Sequence, residues 1–297
     1  KGVEHMEDNP QWHGKAPQQD IVPIIEDELE SQFMIAPSII AGDMSNLGKE
    51  VERCNEGRAD YIHLDVMDGQ FVPNKTFDHT EIQKLRSLSL LPFDTHLMIN
   101  DPVKHVRNYI DAGSDIITVH AEVCDESSFG EICDQLHSNQ VGIGLAINPD
   151  TDLPQWSYKF VEMLDQIIVM SVVPGKSGQK FIESTHEKIQ RITKDLYDHK
   201  FEGYIEVDGG VNLENIGACF ADGGRAFVGG SAIIGQSDVR MIIKEFRNQV
   251  LDSRRRLLIK KAHDLGGTDL VNKWIDLHVV GKKKDGLVQI AKELGFQ

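Results

Sequence analysis

From Met34 onward, short apolar runs rich in β-branched residues alternate with longer stretches of helical period. The strand runs are 34–39, 60–66, 93–98, 115–120, 141–147, 166–172, 203–208 and 225–229. The helical pattern falls near 46–57, 79–87, 102–112, 127–138, 153–163, 181–198, 213–222 and 238–260. Eight strand–helix pairs in strict order predict an α/β chain folded as a closed (β/α)8 TIM barrel over residues 34–252. An open doubly wound sheet is the alternative, and eight evenly spaced units favour closure. In a barrel the active site lies where the strands run into the loops that follow them.

The pattern fades at both ends. Residues 1–33 carry two lysines against eight Asp/Glu, and Pro10, Pro17 and Pro23 interrupt any helix. This acidic arm reads as largely irregular, with a short helical turn over 26–33 leading into the fold. From Arg254 to the end, ten Lys/Arg face five Asp/Glu, and amphipathic stretches near 268–278 and 285–294 predict further helices. Residues 253–297 therefore read as a basic helical extension. It is either a cationic interaction tail or, more plainly, a solvated extension packed on the barrel or a sister subunit.

Composition narrows the class. Hydrophobic residues at 40% and charged residues at 26% fit a globular protein with a sizeable core. A net charge of −16 argues against a nucleic-acid or anionic-membrane binder. An anionic substrate remains compatible, because a helix N-terminus can hold phosphate locally. The cysteines Cys54, Cys124, Cys133 and Cys219 are scattered with no CxxC pair, which suits a reducing compartment. With no apolar run of membrane-spanning length and no secretory pattern at the start, a cytoplasmic location is expected.

One strand breaks its own patterning. In "HLDVMDGQFVPN", residues 63–74, a run headed for the core carries His63 and Asp65. Residues i and i+2 of a strand share a face, so both point inward near the barrel mouth. His96 closes the next strand in "DTHLM", and Asp208 ends the seventh in "EVDGG". Two imidazoles and two carboxylates at matching strand ends make a plausible N2O2 site for one Zn²⁺, Fe²⁺, Mn²⁺ or Co²⁺ ion. Each residue alone has a plainer reading, as a core histidine or a turn-forming aspartate. Their joint occurrence carries the argument. His120, ending the fourth strand as "TVH", looks similar and is not assigned to the metal.

Glycine clusters suggest a second subsite. "PGKSGQ" (174–179), "DGGV" (208–211) and "GGSA" (229–232) follow the sixth, seventh and eighth strands. Glycines let backbone N–H groups approach an anion, and phosphate binding after strands seven and eight recurs in barrels. Any one pair is an ordinary turn; three on adjacent loops favour a phosphate.

These pieces, with "IAPSIIAGDMSNLGKEV", "GLAINPDT" and "VMSVVPGKSGQKF", resemble the ribulose-phosphate 3-epimerase family over roughly 34–250. The resemblance implies a barrel of the ribulose-phosphate-binding type, a divalent metal, and interconversion of D-ribulose 5-phosphate and D-xylulose 5-phosphate. It implies His63, Asp65, His96 and Asp208 as metal ligands, with Asp65 as proton acceptor and Asp208 as donor. It places Ser38 and His96 on the substrate and Met67, Met98 and Met170 around the reacting carbons. Gly175, Lys176, Ser177, Gly178, Gly209, Gly210, Gly230 and Ser231 would line the phosphate side. The expected partner is a small ketose phosphate, and a homo-oligomer is the expected assembly. The reaction would pass through a 2,3-enediolate whose charge the metal stabilises.

The chain departs from the family at Gly175-Lys176-Ser177-Gly178, where Gly-Phe-Gly-Gly is usual. Phe→Lys adds a cation near the phosphate side, so the alternative is an epimerase of a different ketose phosphate. A non-catalytic barrel acting as a binding module is a further reading, disfavoured because all four ligand positions are intact. A related barrel class that decarboxylates through Asp-x-Lys-x-x-Asp is disfavoured by Asp65-Val66-Met67-Asp68, which lacks the lysine.

Overall fold

The computed structural model describes residues 33–264. Eight parallel strands form one sheet: β1 Met34–Pro37, β2 Ile62–Met67, β3 Phe93–Met98, β4 Ile116–His120, β5 Gly142–Ile147, β6 Gln166–Met170, β7 Tyr204–Asp208 and β8 Gly224–Gly229. Each strand pairs with its sequence neighbour, and β1 pairs with β8. The remaining seam, β1 to β2, is drawn together by a bridge between Ser38 and His63 and by the Asp60 N–H donating to the Ile35 carbonyl at 3.1 Å. The result is a nearly closed barrel, as the spacing of apolar runs predicts. No described helix is long and apolar enough to cross a membrane.

Among the described residues, seven α-helices surround it: α1 Leu47–Gly57, α2 His79–Arg86, α3 Pro102–Asp111, α4 Glu126–Ser138, α5 Thr185–Asp198, α6 Ile216–Asp222 and α7 Val239–Asp264. The expected helix over 153–163 is instead a 3-10 segment, Gln155–Phe160. Pro154 precedes it, and the Ser157 side chain donates to the Pro154 carbonyl at 2.8 Å alongside its own N–H at 2.9 Å. Those i→i+3 bonds tighten the turn. Trp156 and Phe160 then pack on Phe129 of α4, so the segment still covers the barrel. The first strand stops at Pro37, two residues early, because Ile39–Ala41 turns as a 3-10 segment. α7 runs across the expected boundary at 252/253, and the Ser253 hydroxyl donates to the Gly217 carbonyl at 2.5 Å. Residues 1–32 and the helices expected at 268–278 and 285–294 lie outside the described residues.

Strand alternation divides the core in two. Ile62, Leu64, Val66, Leu97, Val119, Leu145, Val169 and Val207 face outward into one apolar layer beneath the helices. That layer buries enough aliphatic surface to hold the fold. The inward positions are different: His63, Asp94, His96, Thr118, His120, Gln166 and Glu206 are all fully buried. On β5 the inward residue is Gly144, where a Cβ would fall 1.9 Å from Thr118 Oγ1. The glycine leaves room for Gln166, which donates to Asp94 at 2.8 Å and to Thr118 at 2.6 Å. The barrel interior thus holds a buried polar layer with an aliphatic jacket around it.

Candidate active site

Register explains how the four sequence-selected residues meet. In the β2–β3 ladder His63 lies opposite Asp94, Asp65 opposite His96, and Met67 opposite Met98. In the β6–β7 ladder Met170 lies opposite Asp208. His63, Asp65, His96 and Asp208 each offer an atom to a common centre, all within 4.8 Å of one another. His63 Nε2 lies 3.4 Å from Asp65 Oδ1 and 3.8 Å from Asp208 Oδ2. His96 Nδ1 lies 3.4 Å from each of the same two oxygens.

These separations can be tested against a metal. Ligands at about 2.0–2.2 Å around a tetrahedral ion sit roughly 3.3–3.6 Å apart. Three of the four edges, at 3.4 Å, fall in that range, and the His63–Asp208 edge, at 3.8 Å, lies just beyond it. His63 Nε2 and His96 Nδ1 are buried and have no hydrogen-bond partner, although both face carboxylates. Orphaned buried nitrogens are rare, and here both converge on one point. The donor set fits a divalent ion.

The far sides of both rings are occupied. His63 Nδ1 lies 2.6 Å from Asp94 Oδ2, and His96 Nε2 lies 2.8 Å from His120 Nε2. Such outer contacts fix ring orientation and leave the inner nitrogen free to bind. Without an ion, burial pushes the His63 imidazole down, but the Asp65 and Asp94 carboxylates outweigh it and hold the group well above its ordinary value. Burial likewise opposes ionisation of Asp65, and the neighbouring His63 and His96 overcome it, so its carboxyl is held low. The hole therefore attracts positive charge. Glu206, two residues before Asp208 on the same face, is driven well above the ordinary carboxyl range by burial and then by Asp94.

Above this floor lies a cleft that opens to solvent. Asp65, Asp208, Ser38, Met67, Met98 and Met170 line it. Gly175, Lys176, Ser177, Gly178, Gly209, Gly210, Gly230 and Ser231, from the loops after β6, β7 and β8, line it as well. Of the residues selected from the sequence, only His63 and His96 do not line it; both are fully buried beneath. The glycine loops are shaped by need. Gly210 sits at φ +65°, and a Cβ there would lie 2.5 Å from the Phe181 backbone nitrogen. The Asn74 side chain donates to the Gly175 carbonyl at 2.7 Å, fastening the loop after β2 to the loop after β6.

Sequence reasoning passed over Asp94, Glu206, Glu122 and Asn74, and named His120 only to leave it out of the ligand set. Asp94 and Glu206 had a usable signal: each stands two residues before a selected ligand and so shares its face. Asn74 had none beyond its motif, because its partner is 101 residues away.

The sequence pattern of the ribulose-phosphate 3 epimerase family matches residues 34–234. The ribulose-phosphate 3-epimerase of Bacillus subtilis (strain 168) is 40% identical over 215 residues, 72% of this chain and 97% of that protein. The chain belongs to the ribulose-phosphate 3 epimerase family. It is an enzyme, an isomerase of the epimerase type. The family also includes the chloroplastic ribulose-5-phosphate-3-epimerase of Arabidopsis thaliana, 38% identical over 72% of this chain and 76% of that one. The ribulose-phosphate 3-epimerase of Escherichia coli (strain K12) is 36% identical over 74% of this chain and 96% of that protein.

Among solved structures, 3-keto-L-gulonate-6-phosphate decarboxylase from Vibrio cholerae O1 biovar El Tor str. N16961 aligns with a TM-score of 0.55 at 14% identity, covering 74% of this chain and 98% of that one. The 3-hexulose-6-phosphate synthase from Salmonella typhimurium aligns with a TM-score of 0.54 at 14% identity, covering 74% and 99%. At that identity the likeness concerns the barrel alone.

Proposed function

We propose that this epimerase inverts C3 of a ketose phosphate, interconverting D-ribulose 5-phosphate and D-xylulose 5-phosphate. His63, Asp65, His96 and Asp208 hold one divalent transition ion, Zn²⁺, Fe²⁺, Mn²⁺ or Co²⁺. The observation that carries the reading is the pair of carboxylates, Asp65 from β2 and Asp208 from β7, lining one cleft above two orphaned imidazole nitrogens.

Inverting a carbon beside a ketone requires removing its proton from one face and returning one to the other. Asp65 takes the proton and Asp208 delivers one, from strands that flank the cleft. A bound divalent ion would supply positive charge beside the oxygens on which negative charge develops. Ser38 donates to Asp65 Oδ2 at 2.5 Å and so fixes the face that the acceptor presents. Met67, Met98 and Met170 cover the reacting carbon with side chains that offer no competing proton. The 175–178, 209–210 and 230–231 loops receive the phosphate on backbone N–H groups.

The deciding experiment follows exchange of the C3 proton with solvent deuterium, with and without chelator, in wild type, Asp65→Asn and Asp208→Asn. Loss of inversion in both variants and on chelation is expected; retained turnover in either variant overturns the two-carboxylate reading.

One observation favours a second substrate. Among the described residues lining the cleft, Lys176 is the one cation, and it belongs to a loop proposed to receive the phosphate. It suits a ketose phosphate with a further anionic group. If Lys176→Phe leaves the preference among ketose phosphates unchanged, that alternative fails.

A further inference from the structure

His120 ends β4 facing the barrel interior, yet both of its nitrogens are engaged away from the common centre. Nε2 lies 2.8 Å from His96 Nε2, and Nδ1 lies 3.0 Å from Glu122 Oε2. The His96 and His120 rings stack with centroids 4.9 Å apart at 19°. Phe71, from the loop after β2, covers His120 at 4.7 Å between centroids. His120 is fully buried. With both nitrogens engaged elsewhere it is no ligand, and whatever it does is passed through His96.

The polarity of this chain follows from counting protons. A neutral imidazole carries one N–H and one lone pair. His96 can turn a lone pair toward the metal site from Nδ1 only if its proton sits on Nε2. That N–H points at His120 Nε2, which must then accept. The His120 proton is left on Nδ1 and donates to Glu122. An ionised carboxylate only accepts, so Glu122 sets the direction of the whole chain. Were the terminal group a donor, the chain could run backwards: His120 would donate to His96, and the His96 proton would move to Nδ1, facing the ion. Glu122 is itself anchored, since its Oε1 accepts the Asn148 N–H at 2.7 Å. Lys188 Nζ in turn donates to the Asn148 carbonyl.

We propose that His120 and Glu122 are a positioning pair for His96, in which the acceptor-only Glu122 fixes the tautomer of both imidazoles and thereby sets the affinity of the metal site. The inference rests on the metal reading above and concerns residues outside the ligand set.

The test is metal affinity, not turnover. The full chain, stripped with chelator, is titrated with Zn²⁺ against a chromophoric competitor, and the melting temperature of each metal-free protein is recorded. Glu122→Gln keeps size but can donate to His120 Nδ1 and invert the chain; it should bind about 10–100-fold more weakly, as should His120→Phe. His120→Gln, whose amide oxygen can accept from His96 and whose amide nitrogen can donate to Glu122, should remain within about three-fold of wild type. Metal-free melting temperatures close to wild type separate positioning from simple disruption. A Glu122→Gln protein that folds and binds Zn²⁺ like wild type overturns the proposal. If His120→Phe fails to fold, Glu122→Gln decides alone. Wild type that binds no Zn²⁺ overturns the metal reading itself, which distinguishes the two failures.

Discussion

Ser38 Oγ donates to Asp65 Oδ2 at 2.5 Å, while Oδ1 of the same carboxylate lies 3.4 Å from both His63 Nε2 and His96 Nδ1. One carboxylate thus accepts from a hydroxyl at the β1 terminus through Oδ2 while its Oδ1 faces the two imidazoles of the floor. A hydrogen bond to a charged group contributes about 1.5–3 kcal/mol. Ser38→Ala should therefore lower kcat by roughly 10–100-fold. The fold should survive, since Ser38 lies outside the aliphatic jacket. Steady-state kinetics beside a melting curve checks both parts.

The two aspartates should fail differently. On the proposed mechanism, Asp65→Asn removes the proton acceptor for one face of C3, and Asp208→Asn removes the donor for the other. General acid–base groups contribute roughly 10²–10⁴-fold, so inversion should fall by at least that range in each. Stereospecific deuterium wash-in from each epimer should persist on the face whose aspartate remains. Equal residual wash-in from both epimers in both variants would contradict the assignment of one aspartate to each face.

The glycine loop carries a stability prediction. Gly210→Ala places a side chain at φ +65° against the Phe181 backbone. Left-handed strain alone costs about 1–3 kcal/mol, and the clash adds to it. A melting temperature lower by roughly 5 °C or more is expected. KM for the phosphorylated substrate should rise with it, because Gly210 lines the cleft and its loop is proposed to receive the phosphate. Differential scanning calorimetry with kinetics tests the pair of effects.

Burial lowers the His120 imidazole to about 4 from an ordinary 6.5, against the opposing pull of Glu122. The folded chain keeps His120 neutral where the unfolded chain would protonate it. Between pH 6.5 and 4 the unfolded state thus binds more protons at this residue, and stability from it rises with pH. It is fully present above pH 6.5 and lost as pH falls toward 4. In metal-free protein, any advantage of wild type over His120→Phe should shrink on moving from about pH 7 to pH 5. Melting temperatures of both proteins across that interval supply the check, and a widening gap would reverse the assigned sign.

Strand periodicity alone made the barrel legible, because outward aliphatic positions recur every second residue under each helix. The same period put His63 and Asp65 on one face, and four ligand-type residues at matching strand ends pointed to a metal before any coordinates. The 153–163 segment misled, since its helical period could not reveal that Ser157 would bond back to Pro154 and tighten the turn.

The layer beneath the ligands was decided by tertiary structure. Asp94 meets His63, and His120 meets His96, across strands 31 and 24 residues apart in sequence. His120 looked like a spare ligand because a strand pattern gives the face of a side chain but not which nitrogen finds which partner. Register and closure settle that, and with it which imidazole nitrogen is left bare. A sequence can therefore specify that a polar cluster lies inside the barrel; only the packed strands assign each proton its place.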